Sequence, residues 1–313
     1  MISVVIPLYN KERQIGRTLR TVLAQTYQDF EIVIVDDGST DGSAAEVAVF
    51  NDPRIRLIQQ QNAGVSAARN HGIEESRGEF VALLDADDEW CPDYLATQMS
   101  LVEKYPQCDV FATNYQFKDV EGQITPTIIR NLPFEEEHGL LYNYFEVASC
   151  SHPPICSNTI MARKSAFHEV GGFPVGIKSG EDLLTWARLA CRFKIAYCKM
   201  PLAVFCQSLY QTKSDSKSTV RLGGEDFILN ELLNLYNSAD FDAEYKNGLK
   251  DYINRWYKIY CVLLIESGQC HRIFPIAMSA LKFGAPKSTM LMLLCFACMP
   301  TGVAQQLFIK LRR

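Results

Sequence analysis

The sequence lacks several features that would place it in a specialised class. Its longest apolar run, Met290–Met299, is ten residues, about half of the ~20 residues that a membrane-spanning helix needs. It has no internal repeat and no low-complexity segment. With 31 Lys and Arg against 36 Asp and Glu, it also lacks the basic excess of nucleic-acid-binding domains, so we expect no nucleic-acid partner. The composition, 48% hydrophobic and 21% charged over 313 residues, is typical of a folded enzyme.

A disulfide framework is not indicated either. The 11 cysteines are odd in number and irregularly spaced, and disulfides persist mainly in oxidising compartments. The first residues run directly into a strand-like segment, Ile2–Leu8, without the pattern of a signal peptide. We therefore predict reduced thiols and a cytoplasmic protein.

Acidic residues are absent after Glu266, whereas the same region holds the basic residues Arg272, Lys282, Lys287, Lys310, Arg312 and Arg313. The apolar run lies within this region. One interpretation is a core helix of a C-terminal bundle. The other, which we favour, is a helix within residues 287–311 that lies in a membrane interface, because basic side chains beside an apolar face suit anionic headgroups. It predicts a peripheral protein on the cytoplasmic face of the inner membrane.

Short apolar runs alternate with segments of helical periodicity in the N-terminal part of the chain. Strands are predicted at Ile2–Leu8, Phe30–Val35, Ile55–Ile58 and Phe80–Leu84, with helices between them. Such alternation indicates an α/β fold with a mostly parallel sheet flanked by helices. The periodicity is helical from Leu222 onward, so residues 221–313 are predicted to form a C-terminal helical region. Between these regions a strand is predicted near Val110–Phe117, and helices near Leu140–Val147 and at Glu181–Arg192.

Polar side chains follow these strands where each one ends. Tyr9 follows the first strand, Asp37 the second, and Asp85 and Asp87 the fourth. Parallel strands place their carboxyl ends at one edge of an open sheet, where ligands bind. The acidic group Asp85, Asp87 and Asp88 would repel itself unless a cation such as Mg²⁺ or Mn²⁺ shared the charge; a solvated loop or helix cap is the alternative. The glycine fingerprint of nicotinamide enzymes is absent after the first strand.

Five segments together resemble a known family: Ile2–Asn10, Ile34–Asp41, Asn62–Asn70, Leu84–Trp90 and Gly180–Trp186. In this order they are similar to the inverting glycosyltransferases of family 2, which have the GT-A fold. The resemblance covers about residues 1–205. It implies a GT-A domain over residues 1–220, with a nucleotide-sugar half at about 1–105 and an acceptor half at about 106–220.

The resemblance also implies a donor-nucleotide site that comprises Pro7, Tyr9, Asp37, Arg69, Asp85 and Asp87. Tyr9 would lie against the base and Asp37 would accept its hydrogen bonds, while Arg69 would approach the diphosphate or the sugar. Asp85 and Asp87 match the DxD motif, whose second carboxylate binds Mn²⁺ or Mg²⁺ and whose first lies nearer the ribose or the sugar. Glu12 is either a further nucleoside contact or a solvated surface residue.

On the acceptor side, Asp182 matches the family's catalytic base, and the neighbouring Glu181 would hold donor or acceptor hydroxyls. The alternative for this pair is capping of a helix N-terminus. Gly172 and Phe173 match the sugar-binding floor. Trp186, one helical turn after Asp182, either stacks on a pyranose ring or packs in the core.

The segment of residues 205–219 departs from the family because it contains no histidine, so we expect no third protein ligand to the metal from it. Its polar composition suggests a loop that closes over the diphosphate, with Lys213 or Lys217 as phosphate partners.

The resemblance predicts transfer of a hexose from a nucleoside diphosphate sugar, with a UDP-sugar favoured, to an acceptor hydroxyl. The basic apolar tail suggests a polyprenyl-diphosphate-linked acceptor of a bacterial surface polysaccharide, such as lipopolysaccharide O-antigen or capsule. Two alternatives stay open: a sugar-phosphate nucleotidyltransferase, and an inactive nucleotide-binding scaffold on the membrane.

Overall fold

The structure, a computed structural model, describes residues 1–177, 179–207, 225–238 and 242–311. They divide into two compact units, the first made of residues 1–177 and 181–207 and the second of residues 179–180, 225–238 and 242–311. The predicted boundary at residue 220 lies outside the described residues, as do Lys213 and Lys217 of the proposed closing loop.

The first unit is α/β, as predicted. Its strands are β1 Ile2–Leu8, β2 Phe30–Asp36, β3 Ile55–Gln59, β4 Phe80–Leu83, β5 Glu89–Trp90, β6 Val110–Lys118, β7 Ile124–Pro126, β8 His138–Leu140, β9 Ile160–Arg163 and β10 Ile195–Cys206. Its helices are α1 Ile15–Leu23, α2 Ser43–Ala48, α3 Val65–Glu75, α4 Tyr94–Lys104, α5 Tyr144–Cys150, α6 Lys164–Glu169 and α7 Glu181–Arg192.

The strands form one sheet in the order β3-β2-β1-β4-β9-β6-β10-β5, with β7 paired to β6 and β8 to β10. The first four in this order are parallel: Val4 pairs with Ile32 on one side and with Ala82 on the other. Strand β9 runs antiparallel to both β4 and β6, whereas β6 and β10 are parallel to each other. The prediction of a mostly parallel sheet therefore holds for the first four strands, and the rest of the sheet is mixed.

Burial explains why the parallel strands read as apolar runs. Every residue of β1 and of β2 is buried, as a central strand covered on both faces requires. Helix α1 turns Ile15, Leu19 and Val22 toward this core, at the spacing expected for one helix face.

The prediction was less accurate after residue 106. A helix was expected at Leu140–Val147, but Leu140 ends β8 and the helix spans Tyr144–Cys150. Strands β9 and β10 were not predicted because their apolar runs lie among irregular segments. Helix α7 spans Glu181–Arg192, as predicted.

The second unit is helical: α8 Glu225–Ser238, α9 Ala243–Glu266, a 3-10 turn at Cys270–Arg272, α10 Ile273–Phe283, α11 Lys287–Ala297 and α12 Thr301–Leu311. Residues 287–311, within which a membrane-interface helix was predicted, contain two helices, because α11 ends at Ala297 and α12 begins after Pro300, a residue that disfavours helix in its predecessor. The membrane contact of this region stays a prediction. No helix among the described residues combines the length and apolar character needed to cross a membrane.

A clamp ties α3 to the loop before α7. Asn70 of α3 donates from Nδ2 to the carbonyl oxygen of Phe173 and accepts from the Phe173 amide at Oδ1, both at 2.8 Å. The preceding residue, Gly172, has φ +64°, and a Cβ there would lie 2.6 Å from Asn70 Oδ1. Because the two hydrogen bonds hold the side-chain amide of Asn70 in place, the amide cannot move away from a Cβ added at Gly172.

We predict that Gly172→Ala destabilises the protein by about 2–4 kcal/mol, because the left-handed backbone and the contact with Asn70 both act against a side chain. Gly171→Ala is the matched control: Gly171 also has positive φ, +79°, but nothing lies within 4 Å of its Cβ position. It should cost only about 1–2 kcal/mol. Urea unfolding of the two variants measures the difference, and equal losses would show that the Asn70 clamp does not constrain this loop.

Candidate active site

A cavity of about 420 Å³ opens where β1, β2 and β4 end. Its walls bring together six residues predicted from the sequence, Pro7, Tyr9, Asp37, Arg69, Asp85 and Asp87. The remaining lining residues are Leu8, Lys11, Asn62, Gly64, Val65, Ala68 and Ala86. The strand ends and α3 thus gather an aromatic ring, three carboxylates and two cations around one cavity, at the edge of the sheet where ligands of such folds bind.

The side chains at the end of β1 and β2 differ in their exposure. Tyr9 is 46% exposed, so its ring is open to a planar ligand. Asp37 is only 3% exposed, and its carboxylate accepts hydrogen bonds from the amides of Ala63 and Gly64, both at 2.9 Å, and from Gln60 Nε2 at 2.7 Å. Asp37 therefore shapes the loop that forms the cavity wall. Its predicted contact with the base stays a prediction.

Helix α1 holds the acidic loop that follows β4. Arg17 donates from Nη2 to the carbonyl oxygen of Asp87 at 2.9 Å, and Thr18 Oγ1 lies 3.0 Å from the carbonyl oxygen of Ala86 and 2.8 Å from that of Asp88. These bonds act on the backbone, so they fix the loop while the carboxylates of Asp85 and Asp87 stay directed to the cavity.

The third acid of the loop has a separate role. Asp88 is 2% exposed, and its two oxygens accept from the Cys206 amide and from Asn158 Nδ2, each at 2.8 Å. Burial, and then the charges of Asp85 and Asp87, raise the pKa of Asp88 well above its ordinary value. Asp88 thus connects the acidic loop to the end of β10 and to the segment before β9.

Arg69 is the charge centre of the site. It is 3% exposed; its Nη2 lies 2.8 Å from Asp85 Oδ1 and its Nη1 lies 3.4 Å from Glu181 Oε1. Its guanidinium carbon lies 5.2 Å from the centre of the Phe173 ring. Although burial opposes the charge, Asp85, Asp182 and Glu181 raise the pKa of Arg69 above its ordinary value. Arg69 therefore links the DxD loop to the start of α7.

Lys11 was not predicted from the sequence. Its Nζ lies 2.6 Å from Asp87 Oδ2, and both residues line the cavity. The signal was present, since Lys11 follows Tyr9 by two residues at the end of β1, but a lysine in a loop is ordinarily a solvated surface residue. Each acid of the DxD pair thus has its own cation, Arg69 for Asp85 and Lys11 for Asp87.

Glu181 and Asp182 begin α7. Neither is among the residues that line the cavity; Glu181 contacts Arg69, which does line it, and the charge of Asp182 acts on the same guanidinium. Burial raises the pKa of Asp182 above its ordinary value, Arg69 and the Leu183 amide oppose the rise, and Asp85 adds to it. Burial and the Asp182 charge raise the pKa of Glu181 to about 6. Asp182 is therefore a stronger base than an exposed aspartate.

The donor set suits a hard divalent cation only in part. Asp85 and Asp87 present carboxylate oxygens with 27% and 18% side-chain exposure, and Mg²⁺ or Mn²⁺ takes one or two such carboxylates together with water and substrate phosphates. Among the described residues, no group of three or more His, Cys, Asp or Glu side chains is placed to hold a metal. The residues therefore fit a metal whose remaining ligands come from the substrate and water.

Two predicted contacts are corrected by the structure. Trp186 is fully buried and packs edge-on against Phe173, with ring centres 5.5 Å apart; stacking on a sugar is wrong and core packing is observed. Phe173 is 1% exposed and its ring lies against the Arg69 guanidinium. The ring therefore offers no surface to a sugar. Glu12 is not among the cavity-lining residues, and its Oε2 accepts from the Gly42 amide at 2.8 Å; its nucleoside contact stays a prediction. Gly172 is partly exposed, and its sugar contact stays a prediction.

The sequence pattern described as Glycosyl transferase family 2 matches residues 3–171, more than half of the chain. The chain is 34% identical over 187 residues to the glycosyltransferase GlyA of Streptococcus pneumoniae serotype 4, which covers 58% of this chain and 27% of GlyA. It is 29% identical over 258 residues to the putative glycosyltransferase EpsE of Bacillus subtilis strain 168, with 80% of this chain and 85% of EpsE covered. The chain spans less than a third of the length of GlyA and of several Rickettsia glycosyltransferases that it matches.

Solved structures share the fold. Residues 1–349 of S. aureus TarS, crystallised with UDP-GlcNAc, superpose with a TM-score of 0.68 at 20% identity, covering 95% of this chain and 90% of that one. The mannosyltransferase PcManGT of Pyrobaculum calidifontis, in complex with GDP-Man and Mn²⁺, superposes with a TM-score of 0.60 at 17% identity, covering 97% and 83%. With this GT-A fold and a family pattern that extends from β1 to the loop before α7, the chain belongs to glycosyl transferase family 2.

Proposed function

We propose that this chain transfers a hexose from a nucleoside diphosphate sugar to an acceptor hydroxyl with inversion at the anomeric carbon. The observation that carries the proposal is the linkage through Arg69: a single buried guanidinium contacts Asp85 of the DxD pair and Glu181, the neighbour of Asp182. A donor-binding acid and a candidate base are thereby held on either side of one charge. That arrangement suits a reaction in which a leaving group and a nucleophile flank the same carbon.

The cavity supports a nucleoside diphosphate sugar as donor. Tyr9 offers an exposed ring for the base, and Lys11 and Arg69 offer positive charge for the phosphates. Two structures with the same fold contain such donors, TarS with UDP-GlcNAc and PcManGT with GDP-Man. A UDP-sugar is the first donor to examine.

Asp85 and Asp87 would hold Mn²⁺ or Mg²⁺. When bound, the metal supplies charge stabilisation for the departing nucleoside diphosphate. PcManGT, which has this fold, was crystallised with Mn²⁺.

Asp182 acts as general base in this proposal. Its Oδ1 accepts a hydrogen bond from the Leu183 amide at 2.8 Å, which orients the carboxylate. It takes the proton of the acceptor hydroxyl as the acceptor oxygen bonds to the anomeric carbon. The bond to the diphosphate oxygen breaks, and the nucleoside diphosphate leaves with the electron pair. Attack opposite the leaving group inverts the configuration.

The second unit supports an acceptor presented at a membrane surface. Helix α11 exposes Leu291 and Met292, at 58% and 48%, and α12 exposes Val303 at 53%. Lys282 and Lys287 are exposed nearby in sequence, and no acidic residue follows Glu266. Apolar and basic groups together bind anionic lipid. We infer a peripheral position on the inner membrane and a polyprenyl-diphosphate-linked glycan of a surface polysaccharide as acceptor.

The two alternative functions are less well supported. Nucleotidyltransferases of related fold carry a glycine-rich loop after the first strand, and residues 9–13 contain no glycine. An inactive scaffold would have no need for several acids close together, since like charges disfavour each other; here Asp85 and Asp87 line the cavity, and the charge of Asp85 acts on Asp182.

The test of the proposed function is a donor panel with purified protein. UDP- and GDP-hexoses are incubated with membrane lipid extract, and release of nucleoside diphosphate is measured with and without EDTA. We expect release with one donor class, its dependence on the lipid extract, and its loss with EDTA restored by Mn²⁺. Release of diphosphate from UTP and a sugar phosphate would instead establish the nucleotidyltransferase.

Asp182→Asn should lower kcat/KM by about 10²- to 10⁴-fold, the usual range for loss of a general base. Because burial raises the pKa of Asp182, the wild-type rate should fall as the pH falls through that raised value, above the ordinary pKa of aspartate. Titration of the nucleoside diphosphate should give the same affinity for the variant and the wild type. Turnover that survives the substitution would remove Asp182 as the base.

Leu291→Glu with Met292→Glu should reduce sedimentation with anionic vesicles of phosphatidylglycerol by about tenfold, because two charges replace apolar groups that would enter the interface. Val49→Glu with Val120→Glu is the matched control, since these valines are also exposed, at 75% and 42%, but belong to the first unit. Equal sedimentation of the two double variants would contradict the proposed membrane face.

A further inference from the structure

Lys11 lies where the second acid of the DxD pair would meet a metal. Its Nζ is 2.6 Å from Asp87 Oδ2, the carboxylate that the proposed function assigns to Mn²⁺ or Mg²⁺. A divalent cation bonds a carboxylate oxygen at about 2.1 Å. Cation and ammonium on the same oxygen would therefore be less than about 5 Å apart, where like charges disfavour each other strongly.

The two cations of the site differ in mobility. The side chain of Arg69 is 4% exposed and is fixed by Asp85, by Glu181 and by the ring of Phe173. The Lys11 side chain is 33% exposed, and Asp87 is its one ion-pair partner among the residues that the structure describes. Its long, flexible stem and compact ammonium allow movement within the cavity. Of the two, Lys11 is the exchangeable one.

Asp87 itself does not depend on Lys11 for its position. Arg17 holds the Asp87 carbonyl, and Thr18 holds the carbonyls of the residues on either side. The Lys11 backbone is also anchored independently, because its amide donates to Ser43 Oγ at 2.8 Å. Only the ammonium is free to leave without disturbing the loop on either side.

We propose that Lys11 is a built-in competitor of the metal: its ammonium neutralises Asp87 in the empty site, and moves to the donor diphosphate when a metal and a nucleotide enter together. The inference rests on the proposed function for the identity of the ligands. It follows that metal alone binds weakly, because it must displace Lys11. Metal and nucleotide bind cooperatively, because the nucleotide gives the displaced ammonium a new anionic partner.

Mn²⁺ binding without nucleotide tests the first consequence, with free Mn²⁺ measured by electron paramagnetic resonance. Lys11→Met should bind Mn²⁺ about tenfold more tightly than the wild type, because a competing charge beside Asp87 is gone. A gain in affinity is the opposite of what loss of a structural residue would cause. Lys11→Arg, which keeps the charge, should stay near the wild-type affinity.

Lys118→Met is the matched control. Lys118 is similarly exposed, at 30%, and its Nζ pairs with Glu89 Oε1 at 3.0 Å. The substitution removes one positive charge from the neighbourhood without removing a contact of Asp87, so the Mn²⁺ affinity of Lys118→Met should equal that of the wild type. A gain as large as that of Lys11→Met would reduce the effect to net charge and overturn the inference.

Asp87→Asn, alone and combined with Lys11→Met, separates this inference from the proposed metal site. If Asp87→Asn abolishes Mn²⁺ binding while Lys11→Met leaves it unchanged, the metal site stands and the role of Lys11 is overturned. If Asp87→Asn binds Mn²⁺ like the wild type, Asp87 is no ligand and both fail. The expected result is loss of binding in Asp87→Asn and no gain from adding Lys11→Met to it.

The second consequence is tested with UDP and GDP at saturating Mn²⁺ by calorimetry. The nucleotide that binds the wild type should bind Lys11→Met about fivefold or more weakly, since a charge-assisted contact to phosphate is lost. Lys11→Arg should recover most of this loss. Unchanged nucleotide affinity in Lys11→Met would overturn the transfer of the ammonium to the diphosphate.

Discussion

The site depends on how charge is balanced at the end of β4. Three carboxylates in four residues are placed beside a cavity, and such a group is stable only if its charges are compensated or removed. Each acid has a different solution: Asp85 pairs with a buried guanidinium, Asp87 pairs with a half-exposed ammonium, and Asp88 is buried with a raised pKa. The three acids therefore differ in their charge environment, although they are neighbours in sequence.

Two helices supply most of this compensation. From α1 and the turn before it come Lys11, Arg17 and Thr18, which hold Asp87 and the backbone around it. Helix α3 supplies Arg69, and the next residue, Asn70, clamps the loop whose Phe173 ring underlies that guanidinium. The helices that cover the sheet therefore also carry the positive charges, Arg17 and Arg69, that stabilise the acidic loop beside the cavity.

The sequence was sufficient to predict much of the cavity. Strands β1, β2 and β4 are short apolar runs with polar residues directly after them, and position in a parallel sheet then brings Tyr9, Asp37 and Asp85 to one edge. Lys11 and Asp88 could not be assigned, because their roles depend on which way a side chain turns. The same is true of Trp186: helical spacing places it on the face of Asp182, but only the packing of Phe173 against it shows that this face is buried.

Strand β6 was predicted, but β9 and β10 were not, because long irregular segments join them to the rest of the chain; their topology nevertheless matters to the site. A single reversed strand, β9, separates β4 from β6, so β6 and β10 again point the same way as the four parallel strands. The cavity edge of the sheet consequently receives the finish of β6 and β10 and the start of β9, where Asn158 and Cys206 reach Asp88. Segments entering β9 and leaving β10 therefore converge beside Asp88, outside the paired registers of β1 to β4. A change in the length of those segments would alter the surroundings of Asp88, whereas the pairing of β1 with β2 and β4 keeps Asp37 and Asp85 at the same edge of the sheet.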